Sequence, residues 1–167
     1  MIQSVKFDSS CIYMDIKKLG NLIFIFTIKR LMEIVGIIIF FLGILLLIAL
    51  ISYSPNDPNF IFPENTEIKN IIGFQGSYIS DLFLQSVGII SYLIPITFII
   101  TGISVFRKKE FFLIIENIFY IIPYCLFGSL FFSYFYNETF ILYINGNGGF
   151  VGNYLNQTFL NNLIGLY

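Results

Sequence analysis

Three long stretches with almost no charged residue constrain this chain more than any other feature. They cover residues 34–53, 82–106 and 111–136, and Glu116 is the one charge inside them. Each reaches the roughly 20 apolar residues that a helix needs to cross a bilayer. In the whole chain 57% of residues are hydrophobic and 11% are charged, whereas a soluble domain averages about 45–50% and about 25%. The sequence therefore predicts an all-α integral membrane protein, a polytopic helical bundle with three transmembrane helices.

The C-terminal residues predict the start of a fourth helix. From Val151 to Tyr167 no charge occurs, although several asparagines make this run less apolar than the other three. We expect a partial fourth span over residues 151–167, so that residues 31–167 form one transmembrane domain.

Residues 1–30 are predicted to be an N-terminal tail. Their apolar patch, residues 22–26, is too short to span a bilayer. Two structures suit it: a frayed tail, or an amphipathic helix that lies on the membrane surface. We expect the frayed tail.

The loop over residues 54–81 contains most of the turn-forming residues. Pro55 and Pro58 are expected to end the first helix, because proline lacks an N–H and disfavours helix in the residue before it. The stretch from Asn70 is expected to begin with a short interfacial helix or turn. Ser80 or Asp81 is expected to cap the second transmembrane helix.

Small residues at helical spacing predict close contacts between helices, because they let two backbones approach. Three pairs share a helix face in this way: Gly36 with Gly43, Thr97 with Thr101, and Gly148 with Gly152.

The basic residues predict how the chain is oriented. Five lie within residues 1–30 and three form Arg107-Lys108-Lys109, whereas the loop over residues 54–81 has only Lys69. Since short cytoplasmic loops are enriched in Lys and Arg, we expect a cytoplasmic N-terminus and a periplasmic loop at 54–81. The chain has no tryptophan, so tyrosines are expected to form the interfacial belt: Tyr53, Tyr78, Tyr134 and Tyr136.

The sequence predicts no catalytic, cofactor or metal site. It has no histidine, and Cys11 and Cys125 lack the spacing of a metal site. The glycine-rich run over residues 145–152 lacks the Gly-Lys-Ser/Thr ending of a phosphate-binding loop. A net charge of −1 favours no direct contact with nucleic acid, and no small-molecule substrate is indicated. We expect the chain not to be an enzyme by itself.

A small transporter or channel subunit is the alternative function. Pro95 and Pro123 lie inside predicted spans, and ionisable groups such as Glu116 mark ion pathways when they lie within a membrane. We expect Pro95 to be a structural kink, and Glu116 to lie at the interface and pair with Lys108 or Lys109.

Four motifs, in this order along the chain, resemble the membrane domain of the FtsK/SpoIIIE family of bacterial DNA translocases. The resemblance extends from about residue 34 to the end. The motifs are Ser54-Pro55-Asn56-Asp57-Pro58; Asn70-x-x-Gly73-x-x-Gly76-Ser77-x-x-Ser80-Asp81; Gly88 with Tyr92-Leu93-Ile94-Pro95; and Gly148-Gly149-x-x-Gly152.

This resemblance implies a four-helix anchor in the bacterial inner membrane, with both termini cytoplasmic. It further implies a place at the division septum, contact with other membrane proteins of the division machinery, and a role in chromosome segregation alongside an ATPase motor. The 167 residues contain no Walker motif, so ATP hydrolysis and DNA translocation are not implied for them. The chain is expected to be an N-terminal fragment, a truncated product or a split anchor.

Overall fold

A computed structural model describes residues 9–58, 67–136 and 145–160. No strand occurs within these ranges, and three helical stretches are long and apolar enough to span a membrane, which confirms the all-α membrane fold. The helices are α1 (Ser9–Ile51), α2 (Phe74–Val87), α3 (Leu93–Lys108), α4 (Phe112–Phe135) and α5 (Gly149–Leu155); a 3₁₀ segment, Gly88–Tyr92, joins α2 to α3, and a π-helical turn, Asn156–Leu160, follows α5.

Helix α1 is longer than predicted. It is one continuous helix of 43 residues, so the expected frayed tail is wrong for residues 9–30. This part contains no proline and only one glycine, Gly20, and a helix that is already formed adds further residues at little cost. The helix ends at Ile51, shortly before Pro55, as expected. At about 1.5 Å per residue it is about 64 Å long, roughly twice the thickness of the hydrocarbon core.

The second span begins earlier than predicted and is interrupted elsewhere. Helix α2 starts at Phe74 with Gly73 at its N-cap, so Ser80 and Asp81 lie inside the helix and the expectation that they cap it is wrong. The interruption is the 3₁₀ segment that starts at Gly88. Pro95 lies in the first turn of α3. Backbone N–H groups in the first turn have no acceptor within the helix, so a proline there costs no helical hydrogen bond, and Pro95 is not a mid-span kink.

The third span matches its prediction closely, since α4 covers Phe112–Phe135 with Pro123 inside it. For the fourth span, α5 and the π-helical turn cover residues 149–160. The rest of that prediction, residues 161–167, lies outside the described residues, as do residues 1–8, 59–66 and 137–144.

Helices α1 and α3 pack antiparallel through glycines. A Cβ atom on Gly36 would lie 2.7 Å from the backbone nitrogen of Phe106, and one on Gly43 would lie 2.9 Å from that of Ile99. The predicted glycine face of α1 is therefore confirmed, and Gly102 completes it from α3. Helices α4 and α5 pack in the same manner. A Cβ on Gly148 would lie 2.6 Å from Ser133 Cβ, and one on Gly152 would overlap the Ser129 carbonyl oxygen, so this predicted pair is confirmed as well.

The helices arrange the chain between two ends, here named the loop end and the basic end. The C-termini of α1 and α4 and the N-termini of α2 and α5 meet at the loop end. At the basic end, the Glu33 carboxylate pairs with Lys109 Nζ at 2.6 Å and with Arg30 Nη1 at 2.7 Å. Glu116 is exposed on α4, and the ion pairs within the described residues are those of Glu33 with Arg30 and Lys109. The expected pairing of Glu116 with Lys108 or Lys109 is therefore wrong: Glu33, on the helix packed against α3, pairs with Lys109 instead.

Candidate functional site at the loop end

Buried polar side chains collect at the loop end and are named here the loop cluster: Asp57, Asn70, Ser77, Ser80 and Asp81. Asp57 follows the end of α1 in a turn closed by its own N–H, which donates to the Ser54 carbonyl oxygen at 3.1 Å. Its side chain is only 3% exposed. The carboxylate accepts the backbone N–H of Lys69 at 3.0 Å and that of Asn70 at 2.8 Å. Asp57 thus ties the two sides of the loop together.

Asn70 closes the end of α1. Its Nδ2 donates to the Ala49 carbonyl oxygen at 2.9 Å, and its Oδ1 accepts the Ile72 N–H at 3.0 Å. The side chain is 4% exposed. The last four carbonyls of a helix have no partner within it, so a buried helix end needs donors of this kind.

Two further side chains complete this capping of α1. Ser52 Oγ donates to the Ile48 carbonyl oxygen at 2.7 Å, and Tyr92 Oη donates to that of Leu50 at 3.1 Å. Ser52 Oγ also accepts the Ile71 N–H at 3.2 Å. The carbonyl groups at the end of α1 therefore fix the loop and the start of α3 relative to one another.

Gly73 and Gly76 have separate steric functions in the turn. Gly73 has φ +80°, a conformation that residues with a Cβ rarely adopt, and its N–H donates to the Asn70 carbonyl oxygen at 2.9 Å. A Cβ on Gly76 would overlap Asn70 Oδ1 and lie 2.6 Å from Ile72 Cβ. The two glycines of the Asn-x-x-Gly-x-x-Gly motif therefore allow the turn to form and leave room for the Asn70 side chain.

The remaining members of the loop cluster join α2 to the end of α1. Tyr53 Oη donates to Asp81 Oδ1 at 2.9 Å, and Ser77 Oγ donates to the Pro58 carbonyl oxygen at 3.2 Å. Ser80 Oγ donates to the Ser77 carbonyl oxygen at 3.0 Å. Tyr53, expected in the interfacial belt, therefore also holds a buried carboxylate in place.

The glycine-rich run packs into the break of the second span. The Asn147 carbonyl oxygen accepts the Ile89 N–H at 2.9 Å, and Ser129 Oγ donates to the Val87 carbonyl oxygen at 2.8 Å. A Cβ on Gly88 would overlap the Asn147 carbonyl oxygen. Backbone groups that a broken helix exposes need such partners inside a membrane protein, so the run supports the break structurally.

A cavity of about 360 Å³ and one of about 270 Å³ lie on the described chain. The larger is apolar and lies between α1 and α3, beside Gly36 and Gly102. The smaller lies at the loop end, where Asp81, Gln85 and Asn145 give it polar walls. Gln85 Nε2 lies 3.5 Å from Asp81 Oδ1, and Ser86 also lines this cavity.

Apolar side chains on the outside of the loop are exposed. Ile71, between the buried Asn70 and the N-terminus of α2, is 78% exposed, and Ile68 and Phe74 beside it are exposed as well. Sequence reasoning did not single out these residues, because an isolated apolar residue in a polar loop has no pattern. Within residues 9–58, 67–136 and 145–160, no group of three His, Cys, Asp or Glu residues could hold a metal ion.

Comparison with known proteins gives a family match that covers most of the chain. Residues 28–167 match the family model described as the 4TM region of DNA translocase FtsK/SpoIIIE. No solved structure matches the chain significantly.

Individual relatives match over shorter stretches. DNA translocase FtsK of Rickettsia prowazekii is 34% identical over 67 residues, which is 40% of this chain and 9% of that protein. The protein of the same name from Shewanella oneidensis is 34% identical over 84 residues, 50% of this chain and 9% of the relative. The one from Azospirillum brasilense is 30% identical over 87 residues, 51% of this chain and 14% of the relative. The chain thus aligns with only about a tenth of the length of these relatives.

Proposed function

The chain belongs to the family of the 4TM region of DNA translocase FtsK/SpoIIIE, and on this premise we propose that it is a membrane anchor and interaction module at the division septum. The match lies in the membrane region and not in a motor domain, so these residues are not themselves the ATPase. We further propose that the chain acts in chromosome segregation together with an ATPase motor, on the same or another polypeptide.

The observation that carries this proposal is that the polar residues of the loop motifs are buried and hold the loop in place. Asp57, Asn70 and Asp81 are buried, and their hydrogen bonds join them to backbone groups and to neighbouring side chains of the chain itself. They hold the described parts of the loop, residues 52–58 and 67–73, against the helices. Segments held in this way suit contact with other proteins, because little conformational entropy is lost on binding.

We propose that the loop end faces the periplasm and the basic end faces the cytoplasm. The distribution of Lys and Arg supports this orientation. The test is labelling of Ile71→Cys and Lys108→Cys with a membrane-impermeant maleimide, each in a Cys11→Ser background. In intact cells Ile71→Cys should react and Lys108→Cys should react only after permeabilisation. The opposite pattern would reverse the orientation.

Septal placement is tested by a fluorescent fusion of the full chain. We expect enrichment at midcell, and we expect its loss when Asp57, Gly73 and Asp81 are replaced together by alanine. Glu67→Ala is the matched control, since it removes an exposed carboxylate from the same loop. Uniform membrane fluorescence of the unmodified chain would contradict the septal role. Normal midcell enrichment of the triple variant would show that the loop is only a connector.

A further inference from the structure

A segment of α1, residues 18–30, extends past the end of α3 at the basic end. Helix α3 ends at Lys108, and Lys109 pairs with Glu33, so α3 stops at that level of α1. Every side chain from Lys18 to Leu31 is exposed. These exposed side chains include a series of large apolar ones: Leu19, Leu22, Ile23, Phe24, Ile25, Phe26, Ile28 and Leu31.

The apolar residues of this segment cover all sides of the helix. Residues 22–26 are five consecutive apolar residues, and at about 3.6 residues per turn they encircle the axis completely. A helix that is apolar on every side needs an apolar environment on every side. One partner helix would cover a single face, whereas lipid covers the whole circumference.

The charges at both ends of the segment identify the type of lipid surface. Lys18 lies at one end and Lys29 and Arg30 lie at the other, with no acidic residue between them. Glu33, three residues beyond Arg30, pairs with it, so Lys18 and Lys29 are the basic residues of the segment outside that pair. Basic residues beside apolar ones bind anionic headgroups while their stems stay in the apolar layer. The Arg30 guanidinium already lies over the Phe26 ring, 5.1 Å from its centre.

The length of the segment excludes a second crossing of the bilayer. Thirteen residues extend about 20 Å, less than the roughly 30 Å of the hydrocarbon core. The family match begins at residue 28, so most of the segment lies outside the part of the chain that the family describes.

We propose that residues 18–30 lie within the membrane leaflet at the basic end and bind anionic phospholipid there. The apolar side chains enter the acyl layer, and Lys18, Lys29 and Arg30 reach the headgroups. Since α1 is one continuous helix in the structure, this placement predicts that its axis bends between residues 29 and 33 when the chain enters a bilayer. Arg107 and Lys108 are exposed at the same level and add to the positive surface, and septal placement is not required for this binding.

Tryptophan fluorescence of the full chain tests this proposal directly, since the chain has no tryptophan of its own. Phe24→Trp is reconstituted in vesicles of phosphatidylcholine with or without phosphatidylglycerol, and is quenched by lipids brominated near the headgroup or by aqueous iodide. Leu42→Trp, in the exposed apolar part of the span, is the membrane-embedded control. Ile71→Trp, at an exposed loop position that the proposed orientation places in water, is the control for aqueous quenching.

We expect brominated lipid to quench Phe24→Trp several-fold more than Ile71→Trp, and phosphatidylglycerol to increase this quenching. Replacing Lys29 and Arg30 by glutamine should remove the phosphatidylglycerol effect, whereas Lys69→Gln should leave it unchanged. Iodide quenching of Phe24→Trp equal to that of Ile71→Trp would overturn the proposal. Protection of Phe24→Trp from both quenchers would also overturn it, because a protein surface would then cover the segment.

Discussion

Replacement of Asp57 by alanine should destabilise the loop end more than any other removal of a carboxylate there. The Asp57 carboxylate accepts two backbone N–H groups, and the Asn70 N–H that it pairs is buried. A buried donor left without a partner costs about 1–3 kcal/mol, and a hydrogen bond whose donor can reach water is worth about 0.5–1.5 kcal/mol. Lys69 is exposed, so its N–H belongs to the second kind, and the two terms together give about 1.5–4.5 kcal/mol.

Two comparison variants separate this effect from simple loss of charge. Asp57→Asn keeps one carbonyl oxygen for the Asn70 N–H, and should therefore cost about 1–2 kcal/mol, since a neutral acceptor bonds about half as strongly as a charged one. Glu67→Ala removes an exposed carboxylate from the same loop and should change stability by less than about 0.5 kcal/mol.

The measurement is equilibrium unfolding of the full chain in mixed micelles with increasing SDS, followed by near-ultraviolet circular dichroism of the tyrosines. Hydrogen exchange of a peptide that contains Asn70 gives a local readout, and exchange there should speed up in Asp57→Ala before the helices unfold. Equal stability of Asp57→Ala and Glu67→Ala, with unchanged exchange at Asn70, would refute the assignment of Asp57 as the tie across the loop.

Three other predictions concern the helices. Gly36→Ala should destabilise the bundle by about 1–3 kcal/mol, because its Cβ meets the backbone of α3; Gly20→Ala, with open space around it, should be neutral or slightly stabilising in the same SDS titration. Gly88→Ala should lower the free energy of unfolding by about 1–3 kcal/mol because of its φ of +72°, and by more because its Cβ would overlap the Asn147 carbonyl oxygen. Gly128→Ala is the control and should lower it less, because its Cβ would meet only the side chain of an isoleucine. Equal losses of stability in the two variants would contradict this account of the break. Glu116→Gln should leave proton and ion flux into reconstituted vesicles unchanged, because Glu116 is exposed on α4; a changed flux would favour the transporter alternative.

The transmembrane architecture could be predicted because it depends on local composition. A charge-free run of sufficient length has one stable form in a bilayer, and the run at residues 111–136 predicted α4 to within one residue at each end. The face of Gly36 and Gly43 was predictable for a similar reason, since helical spacing alone brings the two residues to one side.

The break at Gly88 could not be predicted from its own neighbourhood. It depends on Asn147, about sixty residues further along the chain, whose carbonyl oxygen accepts the Ile89 N–H. Proline is the stronger local signal, and for that reason Pro95 was expected to mark the kink. The capping of α1 was missed similarly, because the Asn70 amide reaches back to the Ala49 carbonyl oxygen and no sequence spacing reveals that contact.

The loop motifs show why a resemblance of this kind identifies a fold more securely than a function. Asp57 is suited to its place because one carboxylate accepts two N–H groups, and Asn70 because one amide both donates and accepts. Gly73 is suited to its place because of its φ of +80°. These requirements concern the shape of the loop and would be the same whatever the loop contacts. Under the proposed function, specific recognition depends on residues that the loop exposes, such as Ile71, and binding of a septal partner should change when such a residue is replaced and the buried cluster is left intact.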